Sequence, residues 1–322
     1  MNIGFFIKWN INSLNSSGNV LGDELLATSF VKLLTRKYQD IKAAVYGLNF
    51  LPTEKLDVMI YLNDTPPKQE LAKHHILYFQ NAFQESIDTL HKRLMSYNYD
   101  GYIFFSRKLL KIHKDKGGNG VYIPFGVDTS HFYPREIEKK YEFDVCYVGN
   151  DIKGNERTMK FLYPARNFNF GLFGNWKMPK YRFYHRDYWK KQPPYKKLFE
   201  KISKGKIPQE DVPILYSSAS INLNCTIQEC VDWDVITLRT YEVLACKGFL
   251  ISDEVPSAVN ELKECMVFTK GNEDLSDKIS YYLSNEKERK QLTQNGFEYV
   301  QKNASAEVRA VEIYNYIEEV IS

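Results

Sequence analysis

A chain of 322 residues, 43% hydrophobic and 26% charged, is long enough for two domains of moderate size and has the composition of a soluble globular protein. Its formal net charge of +3 argues against a dedicated nucleic-acid surface, while one basic cleft for a phosphate ligand remains compatible with it. The five cysteines (Cys146, Cys225, Cys230, Cys246 and Cys265) form no C-x-x-C pair, and most sit in apolar runs; that predicts buried free thiols in a reducing, cytoplasmic compartment rather than a disulfide framework.

The start, "MNIGFFIKWNINS", has neither the long apolar core nor the cleavage site of a signal peptide. No run approaches the ~18 apolar residues of a membrane span, which leaves peripheral association as the membrane role compatible with the sequence. Short apolar, β-rich runs then recur along the chain: "NIGFFIK", "AAVYGL", "DVMIYLN", "HILYFQ", "YIFFS" and "VYIPF", and after them "FDVCYVG", "FNFGLFG", "SINLNC", "GFLISD" and "MVFT". Runs of this length without alternation suit strands buried on both faces of a parallel sheet. Amphipathic segments lie between them. In "GDELLATSFVKLLTRKY", for example, Leu25, Leu26, Phe30, Leu33 and Leu34 read as one helical stripe. Strands alternating with helices predict an α/β fold.

The pattern pauses at 126–144, "GVDTSHFYPREIEKKYEFD", a polar stretch read as an interdomain linker. Two Rossmann-like domains facing a cleft follow, spanning residues 1–135 and 136–303. The tail "ASAEVRAVEIYNYIEEVIS" predicts a closing helix with Val308, Val311, Ile317, Val320 and Ile321 on one stripe, assigned with residues 304–322 to the first domain.

Open α/β sheets bind ligands where strand ends lead into helix N-termini, so chemistry is sought at those junctions. The first is "NSSGNVLGDELLATSF", with Gly18, Asn19 and Gly22 in the loop after the first strand. Its free N–H groups suit an anion, although Gly22 and Asp23 also suit a simple turn and helix cap. The loop is no G-x-G-x-x-G dinucleotide fingerprint. The second junction, "YVGNDIKGNERTMKFL", places Gly149 at a strand end, followed by Lys153 and Arg157. Two cations near a helix start make a diphosphate clamp, and solvated loop charges are the alternative.

The third junction is "SINLNC" followed by "DWDVITLRTYEVLACKGFLISD". Asp234 and Glu242 lie eight residues apart around a helix start. A carboxylate there can accept both hydroxyls of a ribose while the helix N–H groups face phosphates. "DWD" also matches the D-x-D pattern of metal-dependent glycosyl transfer, but it falls late, inside the second unit. The histidines show no zinc-ligand spacing. No metal and no cofactor are therefore expected.

These residues carry a resemblance. The second half is similar to the CgeB-like, spore-maturation type of glycosyltransferase, relatives of the large family 4 (group 1) enzymes with the GT-B fold. The likeness rests on "VYIPFGVDTSHFYP", "FDVCYVGNDIKGNERTMKFL", "GLFGNW", "GKIPQEDVPILYSSASINLNCT", "LRTYEVLACKGFLISD" and the closing helices, in order, over about residues 120–320. It implies transfer of a sugar from a nucleotide-sugar donor to a glycan or glycoconjugate acceptor, retaining and metal-independent. Gly149, Asn150, Arg157, Gly174, Ile207, Thr237, Leu238 and Glu242 would bind the donor, with Lys153, Asp234 and Arg239 in catalytic roles.

In the relatives two glutamates spaced eight apart bind the donor; here the first is the shorter Asp234. Where they carry an Arg–Lys phosphate pair, this chain has Asn150 and Lys153, so Arg157 or Arg239 would supply the missing charge. "NVLGDELL" is also similar to polysaccharide pyruvyl transferases. The Asp and Asn changes equally suit a non-catalytic nucleotide- or carbohydrate-binding protein.

Overall fold

The computed structural model describes residues 1–12, 22–80, 86–178 and 192–322. Every apolar run read above as a strand is one: β1 (Asn2–Phe6), β2 (Lys42–Tyr46), β3 (Leu56–Tyr61), β4 (Ala72–Phe79), β5 (Gly101–Phe104), β6 (Val121–Tyr122), β7 (Val145–Val148), β8 (Phe170–Phe173), β9 (Ile221–Asn224), β10 (Leu250–Asp253) and β11 (Val267–Thr269). They form two parallel sheets, one of six strands in the order β2-β1-β3-β4-β5-β6 and one of five in the order β11-β10-β9-β7-β8. The fold is the α/β architecture expected of GT-B proteins.

Two compact units contain these sheets. Unit 1 comprises Met1–Asp128, Asp232–Val235 and Asn303–Ser322; unit 2 comprises Thr129–Val231 and Ile236–Lys302. In unit 1 the helices are α1 (Gly22–Lys37), α2 (Ile87–Met95) and α3 (Arg107–Asp115). Serine caps start two of them: Ser86 accepts from Thr89 N in α2, and Ser106 accepts from Leu109 N in α3. Unit 2 holds α4 (Asn155–Phe161), α5 (Tyr195–Ile202), α6 (Val212–Ser218), α7 (Gln228–Asp232), α8 (Leu238–Ala245), α9 (Pro256–Leu262), α10 (Asn272–Ser284) and α11 (Glu286–Asn303). The tail forms α12 (Ala306–Ile321).

Helix α12 joins the unit 1 core, where Ala306, Ala310, Ile313, Tyr316 and Ile317 pack with Phe5, Phe30 and Ile60. Gly101 makes room for it: a Cβ there would lie 2.8 Å from Val320. The buried stripe differs from the one expected. Of the five apolar residues named for it, only Ile317 is fully buried, because small Ala306 and Ala310 bring the helix closest and turn the valines to its flanks. Leu25 of α1 is likewise 39% exposed, whereas Leu26, Phe30, Leu33 and Leu34 are buried at the i, i+4, i+7, i+8 spacing of one face.

In the linker, a 3-10 turn (Lys139–Tyr141) inserts Tyr141 into a unit 2 cluster with Cys146, Phe173 and Leu215.

Candidate functional site

Unit 2 reverses its strand order at β7, with β8 on one side and β9 on the other. The crevice of an open sheet lies outside the carboxyl ends at such a switch. Gly149 follows β7 and Gly174 follows β8, and the two meet backbone to backbone. Gly174 sits at φ +126, and a Cβ on it would lie 2.1 Å from the Gly149 carbonyl oxygen. Gly149 N donates to Phe173 O (2.9 Å) and Gly174 N to Gly205 O (2.7 Å). Asn150 serves this loop pair through its Oδ1, which accepts from Asn175 N (2.8 Å). A cavity of about 390 Å³ adjoins, lined by Gly174, Trp176, Glu200, Gly205 and Lys206 among others. Ile207, next in the chain, packs beside the Tyr141 cluster.

The charged groups gather across the β7–β9 ends. Asn224, the last residue of β9, has its amide nitrogen held by Ser252 Oγ (3.1 Å) and Thr237 Oγ1 (3.3 Å), so its Oδ1 is left to accept from Arg239 (3.2 Å). The Arg239 guanidinium lies 5.2 Å from the centroid of the Tyr147 ring. Burial opposes its charge, but Tyr147, Tyr216 and Glu242 favour it and the net pKa is raised. Lys153 stands near it without an ion pair among the described residues. Desolvation first, and then the Arg239 charge, push the Lys153 ammonium down to about 8. Glu242, one turn into α8 from Arg239, makes no side-chain hydrogen bond or ion pair among the described residues; burial raises its pKa to about 7 against the pull of Arg239. Thr237 is the N-cap of α8 and provides no side-chain cap, and Leu238 is its first helical residue.

Lys153, Arg239, Thr237 and Glu242 thus share one strand-end site, with Gly149 and Gly174 beside it. Arg157 is employed differently. It donates to Thr226 O (2.6 Å) and Gln228 Oε1 (2.8 Å) and ion-pairs with Asp253, a carboxylate only 1% exposed. Arg239 is therefore the arginine that accompanies Lys153.

Asp234 belongs to unit 1 and Glu242 to unit 2. Asp234 has φ +59, a left-handed conformation in which few non-glycine residues settle. Its neighbour Trp233 is 4% exposed, its ring tilted against that of Phe79 with centroids 6.1 Å apart, and it accepts a hydrogen bond at its carbonyl from Ser106. The tryptophan of "DWD" is thus a core residue of unit 1. No group of three or more metal-ligating side chains assembles among the described residues. Gly22 opens α1 in open space, whereas Gly18 and Asn19 lie outside the described residues.

Sequence reasoning missed Asn224, Tyr147 and Tyr216. The signal was present in "INLNC", where polar residues recur inside a fully buried strand.

Comparison with known proteins agrees with this architecture. Residues 157–315 match the family model described as "Glycosyl transferase-like". No curated protein sequence matches the chain. Among solved structures, the chain is similar to sucrose-phosphate synthase from Thermosynechococcus elongatus (TM-score 0.71, 13% identity, covering 99% of each chain). It is similar to the T4 phage β-glucosyltransferase in complex with UDP-glucose (TM-score 0.63, 16% identity, 100% of each chain). It is also similar to Anabaena HepE in complex with UDP (TM-score 0.66, 10% identity, 99% of this chain and 100% of that one). The chain carries a glycosyl transferase-like region on a GT-B fold and is an enzyme of the glycosyltransferase class.

Proposed function

We propose that this enzyme moves a sugar from a nucleotide-sugar donor, first among them a UDP-sugar, to a glycan or glycoconjugate acceptor. The observation that carries the proposal is the Lys153–Arg239 pair. Two half-buried cations stand together at the β7–β9 switch, with no carboxylate ion-paired to either among the described residues, beside a helix start that has no side-chain cap. That arrangement suits a diphosphate, which meets fixed cations and free N–H groups at once. Glu242 is assigned to the ribose hydroxyls. The UDP and UDP-glucose complexes of HepE and the T4 phage enzyme support beginning with uridine nucleotides.

In the reaction the bond from the sugar C1 to the diphosphate oxygen breaks and its electron pair stays on the diphosphate. Lys153 and Arg239 stabilise that developing charge, which is where fixed electrostatics contribute most. The acceptor hydroxyl oxygen bonds to C1 and its proton passes to the departing phosphate oxygen. This same-face course retains configuration and uses no metal, as the resemblance of the second half to CgeB-like and family 4 enzymes implies. No step is assigned to Asp234. The proposed location is the cytoplasm, supported by the free buried thiols of Cys146, Cys225, Cys246 and Cys265. No helix among the described residues is long and apolar enough to cross a membrane.

The test is a thermal-shift panel of uridine, guanosine and adenosine diphosphates and their sugars, with and without EDTA. A shift by one nucleotide class that survives EDTA supports the donor site. A shift that requires Mg²⁺ or Mn²⁺ sinks the metal-independent course, and a shift by phosphoenolpyruvate alone would replace glycosyl transfer by pyruvyl transfer.

A further inference from the structure

Lys153 sits in the loop between β7 and α4, and the polar side chains around it in that loop are bonded elsewhere in unit 2. Asn150 is held to Asn175, and Asp151 N donates to Asn175 O (3.2 Å). The Asp151 carboxylate turns to α5. Its Oδ1 accepts from the Tyr195 hydroxyl (3.0 Å), and its Oδ2 accepts from the Lys196 ammonium. The same hydroxyl lies 2.9 Å from Oδ1 of Asn155, the first residue of α4, so one side chain spans the loop from its start to its end. Tyr195 is fully buried, its ring packed against Trp176 and Phe199. The Asp151 and Lys196 side chains are only 17% and 21% exposed.

Asp151 and Lys153 are two residues apart, so their Cα atoms lie within about 7 Å and a lysine stem can bridge that distance. In a desolvated site an ion pair within the loop would be strong, and it would occupy the cation that a phosphate needs. The structure has the opposite arrangement. Both Asp151 oxygens serve α5, and Lys153 makes no ion pair among the described residues. Asp253, whose charge also reaches Lys153, is paired with Arg157. The two lysines differ accordingly. Burial opposes the Lys196 charge, but its bonds to Asp151 and Tyr195 outweigh burial and its pKa is raised, whereas that of Lys153 is lowered.

We propose that Tyr195 and Lys196 are positioning residues for the donor site: by engaging both oxygens of Asp151 they keep that carboxylate off Lys153 and leave the ammonium uncommitted for a diphosphate. The inference rests on the donor-site reading for the identity of the anion, and the clamp itself needs no nucleotide.

The test has two readouts on the full chain. The first, without nucleotide, is the pH profile of Lys153 acetylation by acetic anhydride, read by peptide mass spectrometry. The second is affinity for UDP by calorimetry. In the wild type the labelling profile should turn at about pH 8. Lys196→Met releases Asp151 to Lys153, so the profile should move up by about one pH unit or more and UDP should bind roughly tenfold more weakly. Adding Asp151→Asn to Lys196→Met removes the competing carboxylate and should return both readouts towards the wild type. A merely structural role would not be rescued by a second substitution. Tyr195→Phe keeps the packing and removes one bond; it should shift both readouts the same way by less, and it carries the test if Lys196→Met does not fold. An unmoved Lys153 profile in Lys196→Met and Tyr195→Phe overturns the proposal, as does a double variant displaced as far as Lys196→Met alone. If the profiles move as expected but UDP binds to no variant and not to the wild type, the clamp stands and the donor reading fails. If UDP binds the wild type and every variant equally, the donor reading stands and the clamp is overturned.

Discussion

Lys153 and Glu242 are charged groups whose ionised forms burial disfavours, and the fold keeps both. For Lys153 the ammonium falls from 10.5 to about 8. Between those values the unfolded chain holds more protons than the folded one, so this term stabilises the fold progressively as pH rises from 8 towards 10.5, and its full cost is felt below 8. Lys153→Met should therefore raise the melting temperature at pH 7, by an amount equivalent to roughly 1–3 kcal/mol, while weakening nucleotide-sugar binding and turnover. The stability gap should close as the melts are repeated towards pH 10.5. A variant that melts lower and binds nucleotide normally would make Lys153 a structural residue.

Glu242 has the opposite sign. Its pKa rises from 4.5 to about 7, so the folded chain holds the extra proton and stability is lost as pH rises through that window. Glu242→Gln should flatten the decline between pH 4.5 and 7. It should also weaken donor binding by about 1.5–3 kcal/mol, roughly tenfold to a hundredfold, as read by calorimetry. Undiminished donor affinity would remove Glu242 from the ribose.

At the scale of elements, α4 is anchored rather than poised. Arg157 reaches from it to the ends of β9 and β10, where Asp253 also accepts from Thr226 N (2.9 Å) and Thr226 Oγ1 (3.0 Å). Removing the arginine leaves a buried carboxylate without its cation. Arg157→Gln should therefore destabilise the protein by about 3–5 kcal/mol in urea unfolding. Normal stability with lost nucleotide binding would instead return Arg157 to the diphosphate.

The strands themselves were legible because runs such as "DVMIYLN" and "FDVCYVG" have continuous apolar centres, as two-sided burial requires. Helix stripes were less so. A single apolar residue on either side of a stripe satisfies the same count, and only packing decides that Ala310 faces the core of unit 1 while Val311 does not. Of the candidate site, Lys153, Arg239 and Glu242 could be read from their positions at strand-to-helix junctions. The division of labour between Arg157 and Arg239 could not, because it depends on where Asp253 lies in space. Nor could the burial of Trp233, which depends on a contact with Phe79 far away in sequence.

For the whole molecule, the residues proposed to hold the nucleotide (Lys153, Thr237, Arg239 and Glu242) all belong to unit 2, so a nucleotide should act there first. A nucleotide in unit 2 would engage the first turn of α8, whose N–H groups lack a side-chain cap, so amide exchange there should slow when UDP or a UDP-sugar is present. Any ligand also stabilises the fold globally by mass action, by about 2.7 kcal/mol at a hundredfold excess over Kd. That global term slows only amides that exchange through complete unfolding, and helix-start and strand-end amides exchange through local opening. Hydrogen-exchange mass spectrometry at saturating ligand therefore separates the two effects. Protection confined to α8 with nucleotide matches a donor site in unit 2. Protection of the β1 end by nucleotide, with α8 unchanged, would place the donor in unit 1 and overturn the assignment.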